Sequence, residues 1–132
     1  MSVLKRTVTV LTVAVGTVGL TFALSGSAWA GSNGRAWSQA WGRYADAVCD
    51  LQFVSYGDHF YLNDNLKDGA GCYATWGTLD YGSGVLYNSN GAGTTVHKNY
   101  DFPEGTYLSF KVCVRDNGVV VQETCTEFWG QA

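Results

Sequence analysis

Four cysteines constrain the fold of this chain more than any other feature of its sequence. They are Cys49, Cys72, Cys113 and Cys125, and their spacings lack the C-x₂₋₄-C pairs of zinc sites. In a short exported chain, four cysteines indicate two disulfides. Three connectivities are open, and we choose the sequential one, which joins Cys49 to Cys72 and Cys113 to Cys125.

The second of these disulfides requires an irregular strand pairing between its two cysteines. Asn117-Gly118 is typical of a two-residue hairpin turn, because both positions need positive φ. In a regular hairpin with this turn, Cys113 lies opposite Gln122 and not Cys125. We therefore expect a bulge, or a strand that leaves the ladder after Val121.

The N-terminus has the three parts of a secretory signal in order. Lys5 and Arg6 are followed by a mostly apolar stretch, Thr7 to Leu24, and by the A-x-A cleavage site Ala28-Trp29-Ala30. The alternative is a membrane anchor, which threonines in the stretch and the lack of basic residues after it disfavour. We predict a signal peptide at residues 1–30 and a secreted, extracellular protein with no membrane association after cleavage.

Charge excludes one class of partner. Of the 8 basic residues, Lys5 and Arg6 fall in the predicted signal, whereas all 11 acidic residues follow it, so the exported part carries a net charge of −5. Nucleic-acid binding needs a basic cluster, and none remains. We therefore expect no nucleic-acid partner.

From residue 45 onward the hydrophobic pattern is that of short β-strands. The clearest run alternates Leu108, Phe110, Val112 and Val114 with polar or charged side chains. About seven such runs without a strong helix predict a single all-β domain at residues 45–132, a small antiparallel β-sandwich of immunoglobulin-like topology with two disulfides. The runs are 45–56, 59–62, 72–79, 85–87, 94–100, 106–115 and 119–128.

One segment carries the immunoglobulin-like part of this prediction. A turn with Pro103 and Gly105 precedes Tyr107 at a strand entrance and Cys113 within the strand. This arrangement resembles a tyrosine corner, although in antibody domains the tyrosine lies two residues before the cysteine. A small open barrel is the alternative fold.

Residues 31–44 form an N-terminal aromatic arm ahead of the β pattern. Its glycine-rich start, residues 31–34, is expected to be mobile. Trp37, Trp41 and Tyr44 have the spacing of one face of a helix. Either these aromatics pack on the domain or they dock a partner. We predict that Trp37, Trp41 and Tyr44 are partner-binding residues.

The sequence offers little for catalysis or for metal binding. His59 and His97 are the possible bases, no G-x-S-x-G nucleophile motif occurs, and each histidine is expected on a strand, exposed or half-buried. Residues 64–69 resemble a calcium loop, but Leu66 and Thr75 occupy positions where an EF-hand needs ligands. We predict no catalytic residue, no metal ligand, no cofactor and no enzymatic activity.

Aromatic content points to binding. The chain has 5 Trp, 8 Tyr and 6 Phe, of which only Phe22 and Trp29 lie in the predicted signal. A sandwich of this size cannot bury all the others, and exposed Trp and Tyr dominate protein interfaces and sugar platforms. We predict a non-catalytic module that binds an extracellular protein. A hydrolase inhibitor, with residues 82–84 or 88–93 as its loop, and a carbohydrate-binding module are the alternatives.

Three segments carry a resemblance to known proteins: Ala28-Trp29-Ala30, Val48-Cys49-Asp50 and the hairpin at residues 112–118. With them the chain resembles small secreted two-disulfide β-domain proteins of Streptomyces-type actinobacteria. In size, export, cysteines and aromatic arm it also resembles the adaptor subunit of secreted umbrella toxin particles. There, an N-terminal segment joins a small β domain to a larger repeat-containing polypeptide and a lectin subunit. The resemblance implies an adaptor role in an extracellular toxin complex.

Overall fold

A computed structural model describes residues 30–132 of the chain, so the predicted signal peptide, apart from Ala30, lies outside the described residues. The described residues contain no helix, and hence none that is long and apolar enough to cross a membrane. They form two four-stranded antiparallel sheets, sheet I in the order β1-β2-β3-β6 and sheet II in the order β5-β4-β7-β8. The strands are β1 (Gly34–Trp37), β2 (Cys49–Val54), β3 (His59–Asp64), β4 (Gly71–Gly77), β5 (Ser83–Asn88), β6 (Thr94–Asn99), β7 (Tyr107–Asp116) and β8 (Val119–Gln131).

The predicted all-β, two-sheet architecture is confirmed. The seven runs predicted from the sequence correspond to β2 through β8, and β1 was not predicted. The core lies between the sheets and is built mainly from alternate residues of β2, β3, β4 and β7. The ring of Phe53 in sheet I lies 5.0 Å from the rings of both Phe60 and Phe110, the latter in sheet II. This aromatic cluster joins the inner faces of the two sheets.

The sequential disulfide pairing is also confirmed. Cys49 of β2 is joined to Cys72 of β4, with the Cα atoms 5.4 Å apart. Both residues are fully buried on the inner faces of their sheets. This disulfide therefore crosses the core and ties sheet I to sheet II.

The second disulfide depends on the expected irregularity in β8. Val114 pairs with Val121, but Val112 pairs with Thr126, so four residues of β8 lie opposite the single residue Cys113 of β7. The extra residues bring Cys125 beside Cys113, with a Cα–Cα distance of 4.2 Å. The predicted bulge is confirmed.

The predicted tyrosine corner is wrong. Tyr107 begins β7 on the outer face of sheet II and is 69% exposed. A tyrosine corner needs the hydroxyl to bond back to a nearby main chain. This side chain instead belongs to a surface described below.

The last hairpin turns where the sequence predicts. Asn117 has φ 46° and Gly118 has φ 81°, and the flanking residues Asp116 and Val119 pair with each other. Positive φ at both central residues is the conformation of a type I′ turn.

Gly118→Val is expected to destabilise the protein by about 1–3 kcal/mol, because a β-branched residue resists positive φ. Asn117→Gly is the matched control in the same turn, and its cost should stay within about 0.5 kcal/mol because glycine adopts this conformation freely. Thermal unfolding of both variants tests the assignment. Equal midpoints for the two variants would contradict it.

Candidate binding surface

The N-terminal arm contains an edge strand at residues 34–37, so the helix-like spacing of its aromatics does not correspond to a helix. Residues 34–37 pair with residues 50–53 of β2 along their whole length, so their main-chain groups serve a sheet. Its glycine-rich start is also held, because Ser32 and Gln131 exchange main-chain hydrogen bonds of 2.8 and 3.2 Å. These bonds argue against the expected mobility of this start.

The three aromatic residues predicted to bind a partner differ in their exposure to solvent. Trp37 is 46% exposed, with the guanidinium of Arg35 5.1 Å from its ring centre, and Trp41 is 55% exposed. Tyr44 is half-buried, packs against the core and donates a 2.6 Å hydrogen bond to Asp116. The two tryptophans are therefore available to a partner, whereas Tyr44 anchors the arm to the domain.

Polar contacts hold the N-terminal arm to the domain at two points, one at Tyr44 and one at β1. Arg43 and Tyr44 both donate to the Asp116 carboxylate, and these hydrogen bonds, that from Tyr44 first, lower the pKa of Asp116. At β1, Arg35 donates to the buried carboxylate of Asp50, with Nε 2.9 Å from Oδ1. A charged pair with hydrogen bonds to a buried partner holds β1 in register.

A second exposed group, missed from the sequence, lies on the outer face of sheet II. Leu79 is 97% exposed, Trp129 is 72% exposed and Tyr107 is 69% exposed. We call the surface formed by these three residues the Trp129 face. Large apolar side chains gathered on one surface are uncommon in monomers and mark interaction sites.

The pairing of the strands in sheet II explains why the three side chains of the Trp129 face lie close together. Ser109 of β7 lies between Gly77 of β4 and Trp129 of β8, and it is paired with both. Tyr107 lies two residues earlier on the same face of β7, because side chains alternate along a strand. Leu79 follows β4 directly after Gly77 and Thr78. The small residues Gly77 and Ser109 thus lie at the centre of this surface, and the three large side chains project around them.

Two shallow grooves flank Trp129. One, of about 310 Å³, is lined by Leu79, Tyr107 and Trp129 over a floor that includes Ser109. The other, of about 470 Å³, includes the exposed Val85 and an ion pair between Lys111 Nζ and Glu127 Oε1 at 2.9 Å. The surface therefore has an apolar centre with charged groups at one border, as protein interfaces do.

A larger groove, of about 550 Å³, lies at the opposite end of sheet II. Glycines and polar residues line much of it, and its Tyr87 ring already carries the Arg115 guanidinium at 4.2 Å. Size alone does not make a binding site, and this groove lacks a group of exposed aromatics. We therefore place the candidate site on the Trp129 face.

The two histidines meet on the outer face of sheet I. His59 is half-buried and His97 exposed, as predicted, with Nδ1 of His59 2.9 Å from Nε2 of His97. Asn99 lies 3.2 Å from His59 Nδ1, and Tyr61 stacks on His97 at 4.7 Å. Within residues 30–132, neither ring is hydrogen-bonded to a hydroxyl, thiol or carboxylate, which a nucleophilic triad requires.

Comparison of the chain with protein-family models, with curated proteins and with solved structures returned no match. In residues 30–132, no three His, Cys, Asp or Glu side chains form a metal-binding group.

Proposed function

We propose that this protein is a secreted, non-catalytic module that binds a protein partner through the Trp129 face. The observation that supports this proposal is the exposure of Leu79, Tyr107 and Trp129 together on one side of a rigid sheet. Tyr and Trp at the centre of an interface carry much of its binding energy. The two disulfides support function outside the cell, where such bonds persist.

A protein surface suits this face better than a sugar. Leu79 and Val85 are aliphatic and exposed, and aliphatic groups gain from burial against apolar protein rather than from stacking on a sugar ring. The Lys111–Glu127 pair lies at the border of the face, where charged rim residues influence specificity more than affinity.

Capture from the culture supernatant of the producing organism tests this proposal. Tagged wild-type protein should retain a stoichiometric partner protein, identified by mass spectrometry, and Trp129→Ala should lose it. Tyr56→Ala is the matched control, because Tyr56 is an aromatic side chain that is 92% exposed in the turn between β2 and β3 of sheet I. Retention of the same partner by Trp129→Ala would argue against the face.

An adaptor needs a second surface, and the arm supplies the candidate. Trp37 and Trp41 are exposed beside sheet I, whereas the Trp129 face belongs to sheet II. We extend the proposal to an adaptor that joins two components of an extracellular complex, such as the toxin particles that the sequence resembles. The buried inter-sheet disulfide Cys49–Cys72 supports an immunoglobulin-like relationship as part of this proposal.

The double variant Trp37→Ala/Trp41→Ala should keep its free energy of unfolding within about 1 kcal/mol of wild type, because both side chains are at the surface. It should lose a partner that the Trp129→Ala variant retains. Thermal unfolding and capture by the two variants side by side measure this. An arm variant that unfolds easily, or that retains every partner, removes the support for an adaptor.

Carbohydrate is the second candidate ligand. The observation in its favour is that Ser109, Lys111 and Glu127, which can hydrogen-bond hydroxyl groups, border the exposed Trp129 ring. A glycan array separates the two candidates. Retention on a glycan that Trp129→Ala loses would replace the protein partner with a sugar.

A further inference from the structure

The groove of about 550 Å³ at one end of sheet II is bordered by three loops. The loop after β3 contributes Lys67, the loop after β5 contributes Ser89, and the turn after β7 contributes Asn117. Arg115, near the end of β7, lies among them, and we call this site the Arg115 groove. Its volume is within the range of sites that bind small molecules.

An aromatic ring, not a carboxylate, holds the guanidinium of Arg115 in place. Arg115 pairs with Gly71 of the neighbouring strand β4. The Tyr87 ring of β5 approaches Gly71 so closely that a Cβ at this glycine would lie 3.4 Å from the ring. Because Gly71 has no side chain, Arg115 reaches across β4 and stacks on Tyr87, 4.2 Å from the ring centre. Stacking positions a guanidinium and leaves its N–H groups available to an anion.

The Arg115 groove carries positive charge that its own lining does not balance. Lys67 and Arg115 are the charged residues that line it, and no described Asp or Glu is among the lining residues. The ion pairs described for residues 30–132 use Arg35, Arg43 and Lys111 instead. Two cations at one groove, in a chain whose net charge is negative, favour an anionic ligand.

The two acids adjacent to these cations in the sequence are engaged outside the groove. Asp68 accepts a 2.9 Å hydrogen bond from the main-chain N–H of Ala70 through Oδ1, and its Oδ2 is buried. Asp116 accepts hydrogen bonds from Arg43 and Tyr44. Lys67 and Arg115 therefore remain available to an anion that enters the groove.

We propose that the Arg115 groove binds an acidic saccharide, a sugar that carries a carboxylate or sulfate group. Arg115 can hold such a group through two parallel N–H···O bonds, and Lys67 adds a second positive charge. Ser89 and Asn117 supply a hydroxyl and an amide that can hydrogen-bond sugar hydroxyls. A nucleotide would need an aromatic face for its base, and Arg115 already covers a face of Tyr87, the aromatic ring of the lining.

The Arg115 groove is separate from the Trp129 face. It shares no lining residue with either of the two grooves that flank Trp129. Its test therefore needs no protein partner, and Trp129→Ala should bind acidic sugars as wild type does. Loss of acidic-sugar binding in Trp129→Ala would place the sugar on the Trp129 face and would overturn the assignment to the Arg115 groove.

Titration of isotope-labelled protein with digalacturonate, followed by NMR, tests the proposal. The side-chain N–H signal of Arg115 and the main-chain amides of Gly69 and Gly91, which line the groove, should shift and saturate with a Kd of roughly 1 mM or below. A sulfated galactose disaccharide is the second probe, and the tighter of the two identifies the anionic group. Neutral galactobiose is the matched control and should bind at least about tenfold more weakly.

Charge-removing variants make the result specific. Arg115→Gln should weaken binding of the acidic disaccharide at least about tenfold, because it removes both the charge and the paired donors. Lys67→Gln, in an exposed loop position, should fold as wild type does and should weaken binding severalfold. Lys98→Gln is the matched control, because Lys98 is exposed and lies in β6, outside the groove, and its affinity should be unchanged. Thermal unfolding of each variant verifies that it is folded.

Four further results would overturn the proposal. The first is that neither acidic disaccharide gives saturable shifts up to roughly 10 mM. The second is equal binding of galactobiose, which would mean that the anionic group plays no part. The third is wild-type affinity in folded Arg115→Gln, which would place the sugar elsewhere. The fourth is an equal loss in Lys98→Gln, which would mean a general effect of net charge.

Discussion

Replacement of both Cys49 and Cys72 by alanine is expected to lower the free energy of unfolding by about 4–5 kcal/mol. Loss of a cross-link that closes a loop of this length accounts for about 3 kcal/mol. The remainder comes from the cavity that two deleted sulfur atoms leave, because both residues are fully buried. A small domain has a total of roughly 5–15 kcal/mol, so this variant should lose a large share of its stability.

The pair Cys113→Ala/Cys125→Ala is the matched comparison. Its cross-link closes a shorter loop, and Cys125 is half-buried, so we expect a cost of about 3 kcal/mol with little added by a cavity. Urea unfolding of the two double variants and wild type measures the difference. A larger cost for the loss of the Cys113–Cys125 disulfide would contradict this ranking of the two disulfides.

The double variant Trp129→Ala/Tyr107→Ala should bind the protein partner at least 100-fold more weakly than wild type, a loss of about 3 kcal/mol. Its free energy of unfolding should stay within about 1 kcal/mol, because both side chains are mostly exposed. Titration calorimetry with the purified partner measures the first quantity, and thermal unfolding measures the second.

Tyr56→Ala again serves as the control for loss of an exposed aromatic, and its affinity should be unchanged. Wild-type affinity in the Trp129→Ala/Tyr107→Ala variant would mean that the face is not the binding site. A large loss of stability in that variant would mean instead that the two side chains support the fold.

Much of the fold follows from patterns within single strands. The alternation of Leu108, Phe110, Val112 and Val114 predicts β7, and Asn117-Gly118 predicts its turn into β8. β1 could not be found in this way, because only Ala36 of its four residues is buried and its one large apolar residue, Trp37, is exposed. Its main-chain bonds to β2 specify it, and a helical spacing of aromatics gives no information about such bonds.

The Trp129 face depends on a register that can be deduced only in two steps. In the register set by the Asn117-Gly118 turn alone, Trp129 would lie opposite Thr106 and would point into the core. The Cys113–Cys125 disulfide requires a shift of three residues, and a shift by an odd number reverses the face of every side chain beyond it. The positions of Cys113 and Cys125 in the sequence therefore indicate that Trp129 lies on the outer face of sheet II, opposite Ser109.

Hydroxyl-radical footprinting of the complex with the purified partner tests the central claim most directly, because it reports the exposure of individual side chains by mass spectrometry. Trp129, Tyr107 and Leu79 should be oxidised readily in the free protein and should be strongly protected in the complex. Tyr56 should be oxidised equally in both. Unchanged oxidation of Trp129 and Tyr107 in a fully formed complex would contradict the assignment of the Trp129 face as the binding surface.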